Sequence, residues 1–299
     1  MTDITSAQLN EHLRTPDLFG SASGRIITLA FMVILLCVPL AAHFLGIRLQ
    51  LVSLDFITRI LCLAIAAVSL NLILGFGGMI SFGHAAYIGI GAYCVGIPAY
   101  HGFGSAWLHF PLAIFASALF ALVTGAISLR TKGVYFIMIT MAFAQMGYYF
   151  FLSLDEYGGD DGLTIYSRSV FDIINIENKM VLFLLTYACL VAAIYAVYRI
   201  VNSRFGMVVR GCQSNEARMK ALGYNTYAYK LTAYVIAGGM CGLAGALLGN
   251  FTTFISPDMM GWSRSGELMF MVILGGTGSL FGPVFGAVTF VFIEELLST

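Results

Sequence analysis

Few residues in this 299-residue sequence can do chemistry, and the most informative group of them lies in one stretch, 202–230. Ser214 is a good helix N-cap, and Glu216 then falls in a first turn, where the helix dipole favours an anion. Glu216 and Lys220 stand four apart and form an ion pair on one face. Ala217 and Ala221 share a face and leave it shallow. Gly223 follows Leu222, where a left-handed cap favours glycine. The spacing predicts a helix of about two turns from Asn215 to Leu222. A helix so short does not hold alone in water. It needs either a partner protein or lipid headgroups beneath it.

A second group consists of polar residues inside apolar runs. Asn71 and Ser81 flank Gly75–Gly78. They can line a path and hydrogen-bond a zwitterion, or satisfy backbone groups freed where a helix breaks. His84 is the one imidazole in that region, either an internal hydrogen-bonder or a ligand contact. Gln145 stands among Met141–Phe151, as glue between helices or as part of a path. Arg59 reads as a snorkelling side chain, and Arg264 with Glu267 as a solvated rim or a docking contact. The acidic run Asp155-Glu156-Tyr157-Gly158-Gly159-Asp160-Asp161 is a solvated connector or a docking surface, and it lacks the EF-hand spacing. The six cysteines form no C-x-x-C pair and read as small buried hydrophobes. No metal site, GxxxxGK[ST] phosphate loop or HExxH motif is present in the sequence.

The elements that must carry these residues follow from composition. Charged residues make up 10% of the chain, against about 25% in soluble domains. Mean hydropathy is +0.89. The net charge is zero, so no basic face awaits nucleic acid. The bilayer is the natural solvent. Eight stretches are long and apolar enough to span it: 26–47, 56–76, 79–100, 106–129, 133–154, 180–201, 231–254 and 268–293. Ten of fifteen Lys and Arg fall on one side if the N-terminus is cytoplasmic, which sets the orientation and returns the C-terminus to the cytoplasm. Residues 1–25 form a polar cytoplasmic leader, and 26–299 one membrane domain with no internal linker. Gly238, Gly242 and Ala246 have small-xxx-small spacing for close helix packing. Leu74-Gly75-x-x-Gly78 is echoed by Leu274-Gly275-x-x-Gly278, and both segments hold enough glycine to break a helix. The expected fold is an all-α polytopic bundle of about eight transmembrane helices, with Gly-rich broken helices and a short cytoplasmic helix.

Glu216-Ala217-x-x-x-Ala221-Leu222-Gly223 resembles the "EAA" loop by which ABC-importer permeases dock on their ATP-binding subunits, with Arg218 in place of an alanine. Ser81-Phe82-Gly83-His84-Ala85-Ala86, Gly89-Ile90-Gly91-Ala92-Tyr93, Gly133-Val134-Tyr135-Phe136, Gly158-Gly159-x-x-Gly162-Leu163, Ile255-Ser256-Pro257 and Leu274-Gly275-Gly276-x-Gly278-x-x-x-Gly282-Pro283 resemble branched-chain amino-acid permeases of the LivM type. The resemblance covers about 60–293 in collinear order. It implies an importer for Leu, Ile and Val in a bacterial inner membrane. This chain would pair with a LivH-type permease, two ATP-binding subunits and a periplasmic binding protein. No cofactor would sit in this chain; ATP and Mg would sit on the partner ATPases. It further implies that Asn215, Glu216, Ala217, Ala221, Leu222 and Gly223 couple to an ATPase. Asn71, Ser81, His84 and Gln145 are then candidates for the path, and Gly158, Gly159, Asp160 and Asp161 for receptor docking. A urea or short-amide permease shares the motifs. An ion-driven carrier would need buried acids in mid-span, which the sequence scarcely has.

Overall fold

The computed structural model describes residues 22–45, 53–165, 168–170 and 177–298. Of the expected leader 1–25, residues 1–21 lie outside that range. The helices are α1 (Ala22–Leu45), α2 (Leu54–Leu74), α3 (His84–Tyr100), α4 (Ala106–Ser128), α5 (Val134–Leu152), α6 (Lys179–Val201), α7 (Arg204–Ala221), α8 (Thr226–Thr252), α9 (Trp262–Gly275) and α10 (Gly282–Ser298). Among the described residues, six helices are long and apolar enough to cross a membrane: α1, α2, α4, α5, α6 and α8. The chain is an all-α, multi-pass membrane protein.

Burial separates the centre from the periphery. The apolar window of α2 is 83% buried and that of α8 61%, whereas those of α4 and α5 are 28% and 22% buried. α2 begins where Ser53 accepts a hydrogen bond from the Phe56 amide, 3.2 Å. It then runs apolar on every side, as a helix without a solvent face does. α8 packs on α3 and α4 at its glycines: a Cβ on Gly238 would strike Ala121, and one on Gly242 would strike Ser117. The small-xxx-small stripe thus serves close approach between backbones.

Two expected crossings do not form single full-length helices. The stretch 79–100 becomes α3 only from His84 onward, and its 17 residues span about 25 Å, short of a roughly 30 Å hydrocarbon core. The stretch 268–293 folds as two helices, α9 and α10, which form an antiparallel hairpin. The reversal needs positive φ at Gly276 (+95°) and Gly278 (+78°). A Cβ on Gly286 would strike the Met271 carbonyl, and one on Gly275 the Gly282 carbonyl, so the two backbones nearly touch. α10 also runs back along α2: Asn71 meets Ser279 near one end, and Arg59 pairs with Glu294 at 3.0 Å near the other. The described end of α10 therefore lies at the end of the bundle opposite α7. An even number of crossings would have placed it beside α7.

The bundle carries a small non-helical piece at the end opposite α7. β1 (Leu163–Thr164) pairs antiparallel with β2 (Phe254–Ile255), with Leu163 opposite Ile255. A 3₁₀ turn, Pro257–Met260, then leads into α9.

Candidate coupling element and bundle core

Helix α7 is two segments joined at Asn215, whose φ −160° and ψ 99° are extended. The cap falls one residue later than the spacing suggests. Ser214 closes the first segment by donating to the Arg210 carbonyl, 3.3 Å, and Asn215 Oδ1 accepts from the Arg218 amide, 2.9 Å. Asn215 is thus the cap of the short helix and not its first residue. Met219 folds back over Gly211, where a Cβ would lie 2.7 Å from its sulfur. At the far end, the Tyr224 amide reaches the Met219 carbonyl at 3.2 Å and the Gly223 amide the Lys220 carbonyl at 2.9 Å. With Gly223 at φ +87°, this is a Schellman cap, which a side chain at that position strains.

Glu216 holds this segment to the bundle. Its carboxylate pairs with Lys220 at 3.0 Å, Lys230 at 2.9 Å and Lys132 at 3.2 Å. Lys220 is the pair that the spacing predicts. Lys132, from the α4–α5 connector, and Lys230, in α8, are not visible from local sequence. Partial burial alone raises the Glu216 pKa, but hydrogen bonds from Lys230, Lys220 and Lys132 outweigh it and hold the carboxyl at about 2. Ala217, Ala221, Leu222 and Gly223 are all exposed, Leu222 to 66%. The result is a pinned two-turn helix with a shallow free face.

Beside it opens a cavity of about 670 Å³ lined by Glu216, Lys132, Lys220 and Lys230 and reaching Gly78–Ile80. The side chain of Gln213, just before the kink, donates to the Gly75 carbonyl at 3.0 Å. Gly75 ends α2 and starts the non-helical run 75–83. One turn earlier, Asn71 Nδ2 donates to the Ser279 carbonyl at 2.8 Å, while Asn71 Oδ1 accepts from the Gly278 amide at 3.1 Å. The two echoed glycine segments therefore meet each other, and one buried amide bridges them.

The other candidate path residues are placed as follows. Ser81 is buried, accepts from the Gly83 amide at 3.2 Å and lies 3.4 Å from the Tyr234 hydroxyl. The Phe82 amide goes to Thr140, 3.2 Å, and the Ala85 amide to Ser265, 3.0 Å. His84 opens α3, fully buried, edge-on to Tyr87 at 5.3 Å and Tyr234 at 6.4 Å. Neither of its ring nitrogens has a hydrogen-bond partner among the described residues. Gln145 is half-buried on α5, apart from this group.

At the opposite end the acidic run is built into the fold. Asp155–Tyr157 form a 3₁₀ turn, Gly158 and Gly159 take positive φ, and Gly158 abuts the Gly162 carbonyl just before β1. Asp160 and Asp161 remain exposed on it. Nearby, buried His109 lies 2.7 Å from the Ser169 hydroxyl and 2.8 Å from the Phe103 carbonyl, and the Ser169 amide donates to Asn250, 2.9 Å. Nothing in the local sequence singles out His109 and Asn250, because Ser169, which joins them, lies 60 and 81 residues away. Among the described residues no three His, Cys, Asp or Glu gather in a way that could hold a metal ion.

Comparison with known proteins gives a consistent picture. A family model described as the permease component of branched-chain amino acid transport systems matches residues 52–299. The LivM high-affinity branched-chain amino acid permease protein of Salmonella typhimurium is 27% identical over 292 residues, covering 89% of this chain and 68% of that protein. A probable LivM permease protein of Methanocaldococcus jannaschii is 24% identical, covering 82% of each chain. The LivH permease protein of Salmonella typhimurium is 24% identical over 255 residues, covering 79% of this chain and 81% of that protein. No solved structure matches.

Proposed function

Because this chain belongs to the permease-component family of branched-chain amino acid transport systems, we propose that it is the LivM-type membrane subunit of an ATP-driven importer for Leu, Ile and Val. The family match over 52–299 carries this reading. A LivH-type permease completes the membrane part. Two ATP-binding subunits, which hold the ATP and Mg, work from the cytosol, and a periplasmic binding protein delivers the amino acid to the other face. The assembly belongs in a bacterial inner membrane, with the α7 end cytoplasmic, as the Lys and Arg asymmetry requires.

In this reading the segment Glu216–Leu222, capped by Asn215 and Gly223, seats in an ATP-binding subunit. The exposed Ala217, Ala221 and Leu222 are the contact face, shallow enough to enter a cleft. Motion of the segment passes to Gln213 and from there to the Gly75 carbonyl. The translocation path is formed together with the LivH-type partner. The poorly buried faces of α4 and α5 then meet that partner or lipid. Gln145, half-buried on α5, is the path candidate closest to such a face. Asn71, Ser81 and His84 brace the broken segments from inside. Asp160 and Asp161 offer acids to the docked receptor.

The test is Gly223→Val in proteoliposomes holding all partners. A β-branched residue at φ +87° disrupts the cap. Leucine uptake should fall at least tenfold while the chain still inserts and ATP hydrolysis continues. Unchanged uptake defeats the coupling assignment.

A further inference from the structure

A cavity of about 180 Å³ opens between α2, α3, α8 and α9, apart from the coupling element. Its lining is polar at one level and apolar at the next. α2 and α9 both run toward the α7 end, so Arg59 and Glu267 lie one turn nearer the opposite end than Leu63 and Met271. α8 runs the other way and repeats the pattern, with Thr252 above Leu248. The mouth thus carries Arg59, Arg264 and Glu267 beside Met259, and the floor is apolar.

We propose that this pocket is a substrate site that holds one aliphatic amino acid as its zwitterion within this subunit. It rests on the importer reading and adds a binding step inside the membrane to the one made by the receptor. The space is worth about six waters by volume, which is comparable with a single Leu, Ile or Val. The mouth offers two guanidinium groups to a carboxylate and one carboxylate to an ammonium. Both arginines already have acidic partners, Arg59 with Glu294 at 3.0 Å and Arg264 with Glu267 at 2.7 Å. The empty pocket therefore leaves no bare charge, and a zwitterion adds charges of both signs to a set already balanced.

The floor decides which side chains enter. Leu63 and Met271 are buried, Leu248 is half-buried, and none brings a hydrogen-bonding side chain. A glutamine or asparagine side chain there leaves an amide unpaired. Valine and leucine differ by one methylene, which an apolar wall distinguishes by about 10- to 200-fold at most. The pocket is thus selective for the aliphatic class and graded within it.

The experiment measures radiolabelled L-leucine binding to the purified full complex, with receptor omitted, in nanodiscs. The expected result is saturable binding displaced by valine and isoleucine and not by glutamine. Glu267→Gln should weaken it at least tenfold. Leu248→Phe, which narrows the floor, should weaken leucine more than valine, and its receptor-driven uptake should shift toward valine. A thermal-unfolding midpoint matching the parent's shows that each variant is folded. No saturable binding, or binding and uptake selectivity unchanged in both variants, overturns the pocket assignment. Receptor-driven leucine uptake by the parent complex separates the two readings. Uptake without a pocket effect sinks the pocket alone, and its complete absence sinks the importer and the pocket together.

Discussion

Glu216→Gln tests how the coupling segment is held. The parent carboxyl is kept at about 2, below its ordinary value near 4.5. Taken whole, a shift of that size corresponds to about 3 kcal/mol. Lys132 and Lys220 are 73% and 57% exposed, so water screens their share, and about 1–2 kcal/mol remains. The assay is hydrogen exchange at the amides of Arg218–Leu222 in the assembled complex. Local opening of the segment should speed about 5- to 30-fold in the variant. The pH dependence has a definite sign. Because the folded carboxyl is the stronger acid, its contribution is complete above about pH 4.5 and is lost as pH falls through about 2. Exchange corrected for its intrinsic rate should therefore show no such loosening between about pH 7 and 5. Equal protection in parent and variant would refute the idea that the lysine cluster pins this helix.

Three further outcomes are expected. Asn71→Leu strands the Gly278 amide and the Ser279 carbonyl, at about 1–3 kcal/mol for each group left unpaired, and should lower the unfolding midpoint in detergent; an unchanged midpoint counts against the bridge. Gly286→Val puts side-chain atoms on the Met271 carbonyl and should cost about 1–3 kcal/mol or more, read from the same melt, whereas Ala287→Gly nearby should cost less. Gln213→Leu keeps the size of the side chain and loses the bond to Gly75, so amino acid taken up per ATP hydrolysed should fall several-fold, with ATP hydrolysis itself retained.

What the sequence reveals is local. The cap at Gly223 is readable because glycine directly after an alanine- and lysine-bearing turn is the residue type that a left-handed helix end favours. The crossings other than 79–100 and 268–293 are readable because hydropathy sums over neighbours in the chain. The choice of Asn215 over Ser214 as cap is not, since both residue types cap well and only the extended backbone at Asn215, with its bond to the Arg218 amide, separates them. Nor does hydropathy distinguish a crossing from a hairpin. Residues 268–293 are apolar throughout, and the reversal is written in backbone angles at Gly276 and Gly278. Lys132, Lys230 and Gln213 find their partners from distant elements, and no spacing rule reaches that far. The alternation of charge and aliphatic residues around the 180 Å³ pocket becomes visible only when four helices are set side by side.

In the proposed coupling role, the placement of the breaks accounts for how a small helix would work the bundle. Inside α2 and α8 each backbone group is bonded within its own helix, and rearranging them means uncoiling buried turns. Residues 75–83 and 276–281 lie outside the regular ladder, and several of their backbone groups bond to side chains: Asn71, Gln213, Ser81, Thr140 and Ser279. Such bonds exchange one partner for another at a net difference of about 1 kcal/mol each. The soft places thus lie where Gln213 reaches the first break and Asn71 ties it to the second. A displacement of the coupling segment arrives first at Gly75, meets a carbonyl held by a single side chain, and passes through one amide to the tip of the α9–α10 hairpin. That hairpin carries Arg264, Glu267 and Met271 of the proposed pocket, so the chain of contacts runs from the short helix of α7 to the pocket walls without unwinding any full-length crossing.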